Sequence, residues 1–216
     1  MTEEAKRAAL GILWGALYIG GYFAINRLFP FENTAARAFG TRFDAMIPFV
    51  PELVWPYLLF LLPLTFAPFF VVESFEEYKA VVRAYAAMTL VSFAAFLVVP
   101  VRMERPEPDP ARSFSEWTVL ITFTADNPVN CFPSLHVGLS MLSAWILGSR
   151  RGLWRSVAPI AAALIAISVL AIKQHYIADL LAGAALATAC YGLLVRPVQI
   201  AEAQGGAPAT AAARDE

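Results

Sequence analysis

Charge is scarce in this chain: only 15% of its 216 residues are Asp, Glu, Lys or Arg, against roughly 25% in soluble proteins. That leaves too little polar surface to clothe a water-soluble globule. The hydrophobic share is 59%, where soluble domains hold about 45–50%. Neither sign of charge dominates, the formal net charge being −1, which argues against a nucleic-acid partner, since such proteins present a basic face. Cysteine is nearly missing. Two residues, Cys131 and Cys190, cannot build a disulfide framework. Histidine is equally sparse, at two, and no cluster has metal-ligand spacing, so neither a metal nor a cofactor is expected.

What the chain has in abundance is apolar runs. Six stand out, at residues 8–25, 53–72, 84–100, 135–148, 157–172 and 176–195. A bilayer core of ~30 Å needs about 20 helical residues, which the first, second and sixth supply. The fourth and fifth are short, but they flank a tight polar hairpin at 149–155 and can each extend by a turn into the headgroup region. The first run follows a short charged start and has no small-residue cleavage site, so it reads as a retained helix rather than a signal peptide. The expected fold is all-α: a polytopic bundle of about six transmembrane helices over residues 1–200, with a low-complexity Ala/Gly tail at 201–216 read as disordered. The segment 31–52 is polar, then amphipathic, and suits the membrane interface. The segment 101–133 is the longest connection, and its length suggests a functional surface.

Orientation follows from the basic residues. With the N-terminus in the cytoplasm, Lys6, Arg7, Lys79, Arg83, Arg150, Arg151, Arg155, Arg196 and Arg214 lie inside. Arg27, Arg37, Arg42, Arg102, Arg105, Arg112 and Lys173 then lie outside. The densest cluster falls in the short hairpin, where the rule works best. Both termini are expected in the cytoplasm of a cell membrane.

The two histidines sit at the outer ends of apolar runs, in Phe132-Pro133-Ser134-Leu135-His136 and in Lys173-Gln174-His175-Tyr176-Ile177-Ala178-Asp179. Ionisable groups at membrane depth are costly and invite a functional reading. His175 and Asp179 are four apart, a spacing that makes neighbours on one helical face. A carboxylate there fixes the imidazole tautomer and leaves the other nitrogen free to attack. Pro133 is a residue favoured in the first turn of a helix. With the Ser134 hydroxyl and free backbone N–H groups, that helix start makes an anion pocket. Parity of six spans then puts Arg102, Arg105, Ser134, His136, Lys173, His175 and Asp179 at one membrane face. Cations, an anion-binding helix start and a His–Asp pair together describe a phosphate site.

These motifs resemble the type 2 phosphatidic acid phosphatase superfamily, and the Phe-Pro-Ser-Leu-His and Lys-Gln-His-Tyr forms look closest to its branch containing inositol-phosphorylceramide synthases. The resemblance covers roughly residues 84–183, in motif order as well as spacing. It implies a metal-independent reaction through a phosphohistidine, with His175 as nucleophile, Asp179 as its orienter and His136 as general acid. Ser134 and Arg105 would hold the phosphoryl oxygens. Two positions depart from the family pattern: Val98 stands where a Lys usually precedes Arg105-Pro106, and Val169 where an Arg usually precedes His175. Arg102 and Lys173 are the nearby cations that could replace them in phosphate binding.

The expected activity is therefore a lipid phosphate or diphosphate phosphatase working on a phosphorylated lipid within the bilayer. A headgroup transferase is the alternative. A transporter or channel fits poorly, because the middles of the spans carry almost no charge and a pathway needs polar groups there.

Overall fold

The apolar runs all fold as helices, the one backbone form besides a closed barrel that satisfies its own N–H and C=O groups in lipid. The computed structural model describes residues 1–28 and 38–205; the expectations for Arg37, Arg214 and the tail from 206 onward concern residues outside that range. In chain order the helices are α1 (Glu3–Leu28), α2 (Arg42–Met46), α3 (Val54–Val71), α4 (Phe75–Val98), α5 (Phe114–Ala125), α6 (Leu135–Gly148), α7 (Trp154–Ala171), α8 (Ile177–Cys190) and α9 (Arg196–Ala203). A 3-10 turn, Pro51–Leu53, leads into α3, and a π turn, Tyr191–Val195, joins α8 to α9. Among the described residues there is no strand, only an isolated bridge between Val101 and Asn130.

Five stretches are long and apolar enough to cross a membrane: α1, α3 with its leading turn, α4, α7 and the run from α8 through α9. The protein is an integral membrane protein with an all-α bundle. The sixth run, α6, has 14 residues, about 21 Å at 1.5 Å per residue. That is short of a full crossing, but eleven of its 14 residues are buried. It packs against α3, α7 and α8 inside the bundle, so it is shielded from lipid.

Small residues bring these helices together, as they do wherever lipid removes the hydrophobic drive for association. Ala158, Ala161 and Ala162 of α7 are buried in a cluster with Val137, Ala144 and Leu147 of α6. At the α6–α8 crossing a Cβ on Gly183 would stand 2.4 Å from the Ser134 carbonyl oxygen. Glycine there lets Ser134 and Asp179 come together, and the Ser134 N–H donates to the Asp179 carbonyl at 3.0 Å. On the far side α1 packs along α4, with buried Trp14 donating from Nε1 to Thr89 Oγ1 at 3.2 Å.

Three boundaries differ from the sequence reading. The third span starts at Phe75, nine residues before position 84, because Ser74 caps it by accepting from the Glu77 N–H. The last span continues through its π turn and α9 to Ala203. The long connection contains α5, capped by Ser113, which accepts from the Glu116 N–H at 3.1 Å. Its exposed Phe114, Trp117 and Ile121 suit an interfacial helix.

Candidate phosphoryl-transfer site

The bundle has two polar ends. One gathers the start of α3, residues 101–105, the end of α5, the start of α6 and the α7–α8 turn. Every candidate residue lies there.

Ser134 is the N-cap of α6, its Oγ accepting from the Val137 N–H at 3.3 Å. Pro133 therefore sits just before the cap rather than in the first turn, and the Ser134 hydroxyl is spent partly on capping. His136, two residues into the apolar run, projects into the bundle. Its Nδ1 lies 2.9 Å from His175 Nε2, and its Nε2 lies 3.1 Å from the Tyr57 hydroxyl.

His175 and Asp179 meet at 3.4 Å, Nδ1 to Oδ2. The route differs from the expected one. His175 precedes α8, whose N-cap is Tyr176, and Asp179 is the third helical residue. Asp179 Oδ2 also accepts the Tyr176 N–H at 2.9 Å. The pair is thus held by a helix cap, which turns the carboxylate back toward the residue before the helix, instead of by adjacency on a helical face. Asp179 is fully buried and its Oδ1 has no hydrogen-bond partner.

The three groups form one chain of contacts. An ionised Asp179 accepts from His175 Nδ1–H, which leaves the His175 Nε2 lone pair accepting from His136 Nδ1–H. His136 Nε2 then accepts from the Tyr57 hydroxyl. Each proton has one consistent place, and a phosphoryl group reaching Nε2 of His175 must displace the His136 N–H, which remains beside it.

Arg105 joins from the connection after α4. Its Nη1 donates to the Asp126 carbonyl at 2.6 Å, and its Nη2 bonds Gln174 Oε1, the residue before His175. The guanidinium also stacks over Phe123 at 4.5 Å and lies 3.9 Å from Asp126 Oδ2. Burial lowers the Arg105 pKa, with Asp126 opposing, and burial raises the Asp126 carboxyl, with Arg105 opposing. Asp126 is itself fixed by the Tyr22 hydroxyl at 2.9 Å and Asn26 Nδ2 at 3.0 Å. Arg102 lines a cavity of about 820 Å³ together with Arg105, Glu107, Phe123 and Asn127.

Lys173 goes elsewhere. It adopts a left-handed backbone (φ 56°) at the α7–α8 turn, uncommon for a residue with a Cβ. Its Nζ donates to the Ile47 and Asp44 carbonyls at 2.5 and 3.2 Å. The Asp44 carboxylate in turn accepts the Ile177 N–H at 2.7 Å. Burial opposes ionisation of Asp44, yet hydrogen bonds from Thr41 and Ile177 hold its carboxyl below the usual range; burial lowers the Lys173 ammonium, with Asp44 opposing. Lys173 staples the α2 segment onto the turn that carries His175. It does not join the histidines in this arrangement.

Among the described residues one set could ligate a metal: Cys131, His175 and Asp179 offer donor atoms within 4.8 Å of one another. Two of those donors already serve the His–Asp pair, and Cys131 directs its thiol toward the Pro128 carbonyl at 3.5 Å.

Tyr57, Gln174 and Asp126 were not singled out by sequence. Tyr57 lies in an uninterrupted apolar run and gives no local signal. Gln174 lies inside a motif already noticed, and a buried amide beside a catalytic candidate was the available clue.

A family model described as the PAP2 superfamily matches residues 36–193. No curated protein and no solved structure matches the chain.

Proposed function

The chain belongs to the PAP2 superfamily, a family of phosphatases and related phosphotransferases, and on that footing we propose that it is a metal-independent membrane lipid phosphate or diphosphate phosphatase working through a phosphohistidine. The observation that carries this reading is the buried contact chain Asp179–His175–His136, closed at its far end by Tyr57.

In this reading His175 Nε2 attacks phosphorus while Asp179 accepts its Nδ1–H, keeping the attacking lone pair at Nε2. A P–N bond forms as the P–O bond to the lipid breaks, and His136 gives its Nδ1 proton to the leaving oxygen while its Nε2 draws on the Tyr57 hydroxyl proton, so that no imidazolate is left. Water then attacks the phosphohistidine, His136 takes its proton, and the P–N bond breaks to release phosphate. Arg105 is the principal charge-assisted donor to the phosphoryl oxygens, with Ser134 at the start of α6 beside it. Arg102 and Lys173 are the further cations; Lys173, held by the Ile47 and Asp44 carbonyls, needs a side-chain shift on substrate binding. By the distribution of basic residues, the site faces away from the cytoplasm of a cell membrane.

The transferase alternative draws on the same phosphohistidine, on the likeness of the Phe-Pro-Ser-Leu-His motif to inositol-phosphorylceramide synthases, and on the 820 Å³ cavity beside Arg105 as room for an alcohol. The test is direct. Detergent-purified protein is incubated with phosphatidic acid, a lysolipid phosphate or a polyprenyl diphosphate, in chelator, with and without inositol, glycerol or diacylglycerol. Inorganic phosphate without an added alcohol is the expected result. Phosphate recovered only as a new phosphodiester would replace the hydrolase reading with the transferase one, and an absolute need for a divalent ion would overturn the mechanism.

A further inference from the structure

The end of the bundle opposite the histidines carries a second feature that phosphoryl transfer does not use. α6 packs against both α7 and α8 and, at 14 residues, is shorter than the 18-residue α7. It therefore forms the floor of a groove open on the outside of the bundle, with a volume of about 650 Å³. Ala144 and Trp145 lie on the floor and Ala163 and Ala166 on the α7 wall, so the lining is apolar and small. Trp145 is 43% exposed, with Nε1 held by Thr188 Oγ1 at 3.2 Å. In a protein whose flanking helices cross the bilayer, such a groove is filled by hydrocarbon.

Its two ends differ in charge. One closes at Val137 and Leu180, the sequence neighbours of His136 and Asp179. The other opens between Arg155 and Arg196, both exposed. Neither makes an ion pair among the described residues, whereas nearby Arg150 is paired with Glu77. We propose that this groove binds one acyl chain of an anionic phospholipid, with the lipid phosphate between Arg155 and Arg196 and the chain running along α6 toward the catalytic end.

Polarity selects this occupant over the chain of the substrate itself. A substrate with its phosphate at the histidines would put its apolar chain end against two guanidiniums. A lipid from the opposite leaflet places its phosphate at the guanidiniums and its methyl end against Val137 and Leu180. Both ends then match, and basic residues at an interface attract acidic lipid in this way.

The test reads binding without turnover, so it stands or falls separately from the proposed activity. Protein in phosphatidylcholine nanodiscs is given phosphatidylglycerol or phosphatidylcholine with dibrominated chains, and Trp145 emission is isolated by difference from Trp145→Phe. Quenching by brominated phosphatidylglycerol should exceed that by brominated phosphatidylcholine. Each interfacial cation contributes roughly fivefold to affinity for an acidic lipid, so Arg155→Gln with Arg196→Gln should weaken the preference by about 25-fold. Ala163→Phe, which fills the groove on an exposed wall and leaves both arginines, should abolish quenching by either lipid. Equal quenching by the two lipids, or a phosphatidylglycerol preference unchanged in the Arg155→Gln, Arg196→Gln protein, would overturn the proposal.

Discussion

The two ends of the bundle each bury an acid, and they treat it in opposite ways. At the hairpin end Glu77 is 2% exposed, and both carboxylate oxygens are engaged. Oε2 bonds Arg150, and Oε1 accepts from Gln199 Nε2 at 2.7 Å, while Gln199 is itself held by the Tyr191 hydroxyl at 2.9 Å and Ser149. At the histidine end Asp179 is more deeply buried, yet Oδ1 has no partner. Arg105 Nε, Gln174 Nε2 and Asn130 Oδ1 around it are likewise unpartnered. Burying a polar atom without a partner costs about 1–3 kcal/mol, a cost that folding alone does not explain. The Glu77 carboxylate is saturated and clamps the hairpin, although its partner Arg150 keeps a buried Nε without a partner. The Asp179 carboxylate is not saturated, and two donors at its end, Arg105 Nε and Gln174 Nε2, are open to a ligand with acceptor oxygens.

The sharpest way to break this contrast is to remove one acid–base group at a time. His175→Ala should abolish phosphate release, a loss on the order of 10⁴-fold or more, as for the nucleophile of other covalent hydrolases. Asp179→Asn should cost about 10⁴-fold while leaving the fold intact, because the amide oxygen still accepts the Tyr176 N–H that caps α8. Initial-rate assays with thermal unfolding of the same preparations decide it. An Asp179→Asn protein that melts early and retains its rate would make the acid a structural cap like Glu77.

Arg105 sharpens the comparison from the cationic side. Arg105→Ala should lower turnover by roughly 10²–10³-fold, the usual cost of one donor to a developing oxyanion. Arg112→Ala, an exposed guanidinium 3.6 Å from Glu116, should change it less than about twofold, as expected of a surface pair. Lys173→Ala separates two roles: a fall in kcat assigns it to phosphate, whereas a fall in melting temperature alone assigns it to the Ile47 and Asp44 carbonyls it holds here. Equal, mild effects at all three would mean that the phosphate pocket lies elsewhere.

The hairpin end should answer in stability instead. Glu77→Ala strands Arg150, whose side chain is only 28% exposed. Removing one partner of a fully buried pair costs about 3–5 kcal/mol; solvent around Arg150 reduces that to about 2 kcal/mol. The melting temperature should drop by several degrees with turnover per folded molecule unchanged. A loss of turnover at full stability would tie the two ends together functionally.

Much of this contrast was readable along the chain, and the unreadable part has a common cause. The six apolar runs, both histidine motifs and the shared end of Arg105, Ser134, His136 and His175 follow from local composition and from parity. Glu77 did not, because its partners Arg150 and Gln199 come from 73 and 122 residues away. The polar stretch from Phe75 to Arg83 therefore falls outside the apolar run that starts at 84, although its Ser74 cap and its Lys79–Glu76 pair at 2.7 Å favour a helix. α5 was missed because its apolar residues cover one exposed stripe of a 12-residue segment, too short to register as a span. The His175–Asp179 partnership was found for a reason that the fold replaces: four-residue spacing suggested a helix face, and the helix begins only after His175. Spacing was informative because a cap and a helical turn both bring residues three or four apart into reach.

Tyr57 is where sequence had least to say, and it carries the smallest expected effect. Its hydroxyl is one of two side-chain polar groups at this end of α3; the Trp55 indole N–H donates to Ser115 Oγ at 3.1 Å, while the Tyr57 hydroxyl meets His136 Nε2 at 3.1 Å. By donating there it fixes the remaining His136 proton on Nδ1, the nitrogen that faces His175. Tyr57→Phe keeps the ring, and so the edge-on packing at 5.4 Å between centroids, but frees Nε2. Two tautomers then compete, and only one presents a proton to the leaving oxygen. A neutral hydrogen bond contributes about 0.5–1.5 kcal/mol, so turnover should fall by roughly 2- to 12-fold at constant 1.36 kcal/mol per decade. The loss should appear in kcat rather than KM, since Tyr57 touches no substrate in this scheme. A double-mutant cycle isolates the claim: in a His136→Ala background, Tyr57→Phe should cost nothing further. If the two losses add in full, Tyr57 acts on the packing of α3 and not through His136, and the contact chain ends one residue earlier than drawn.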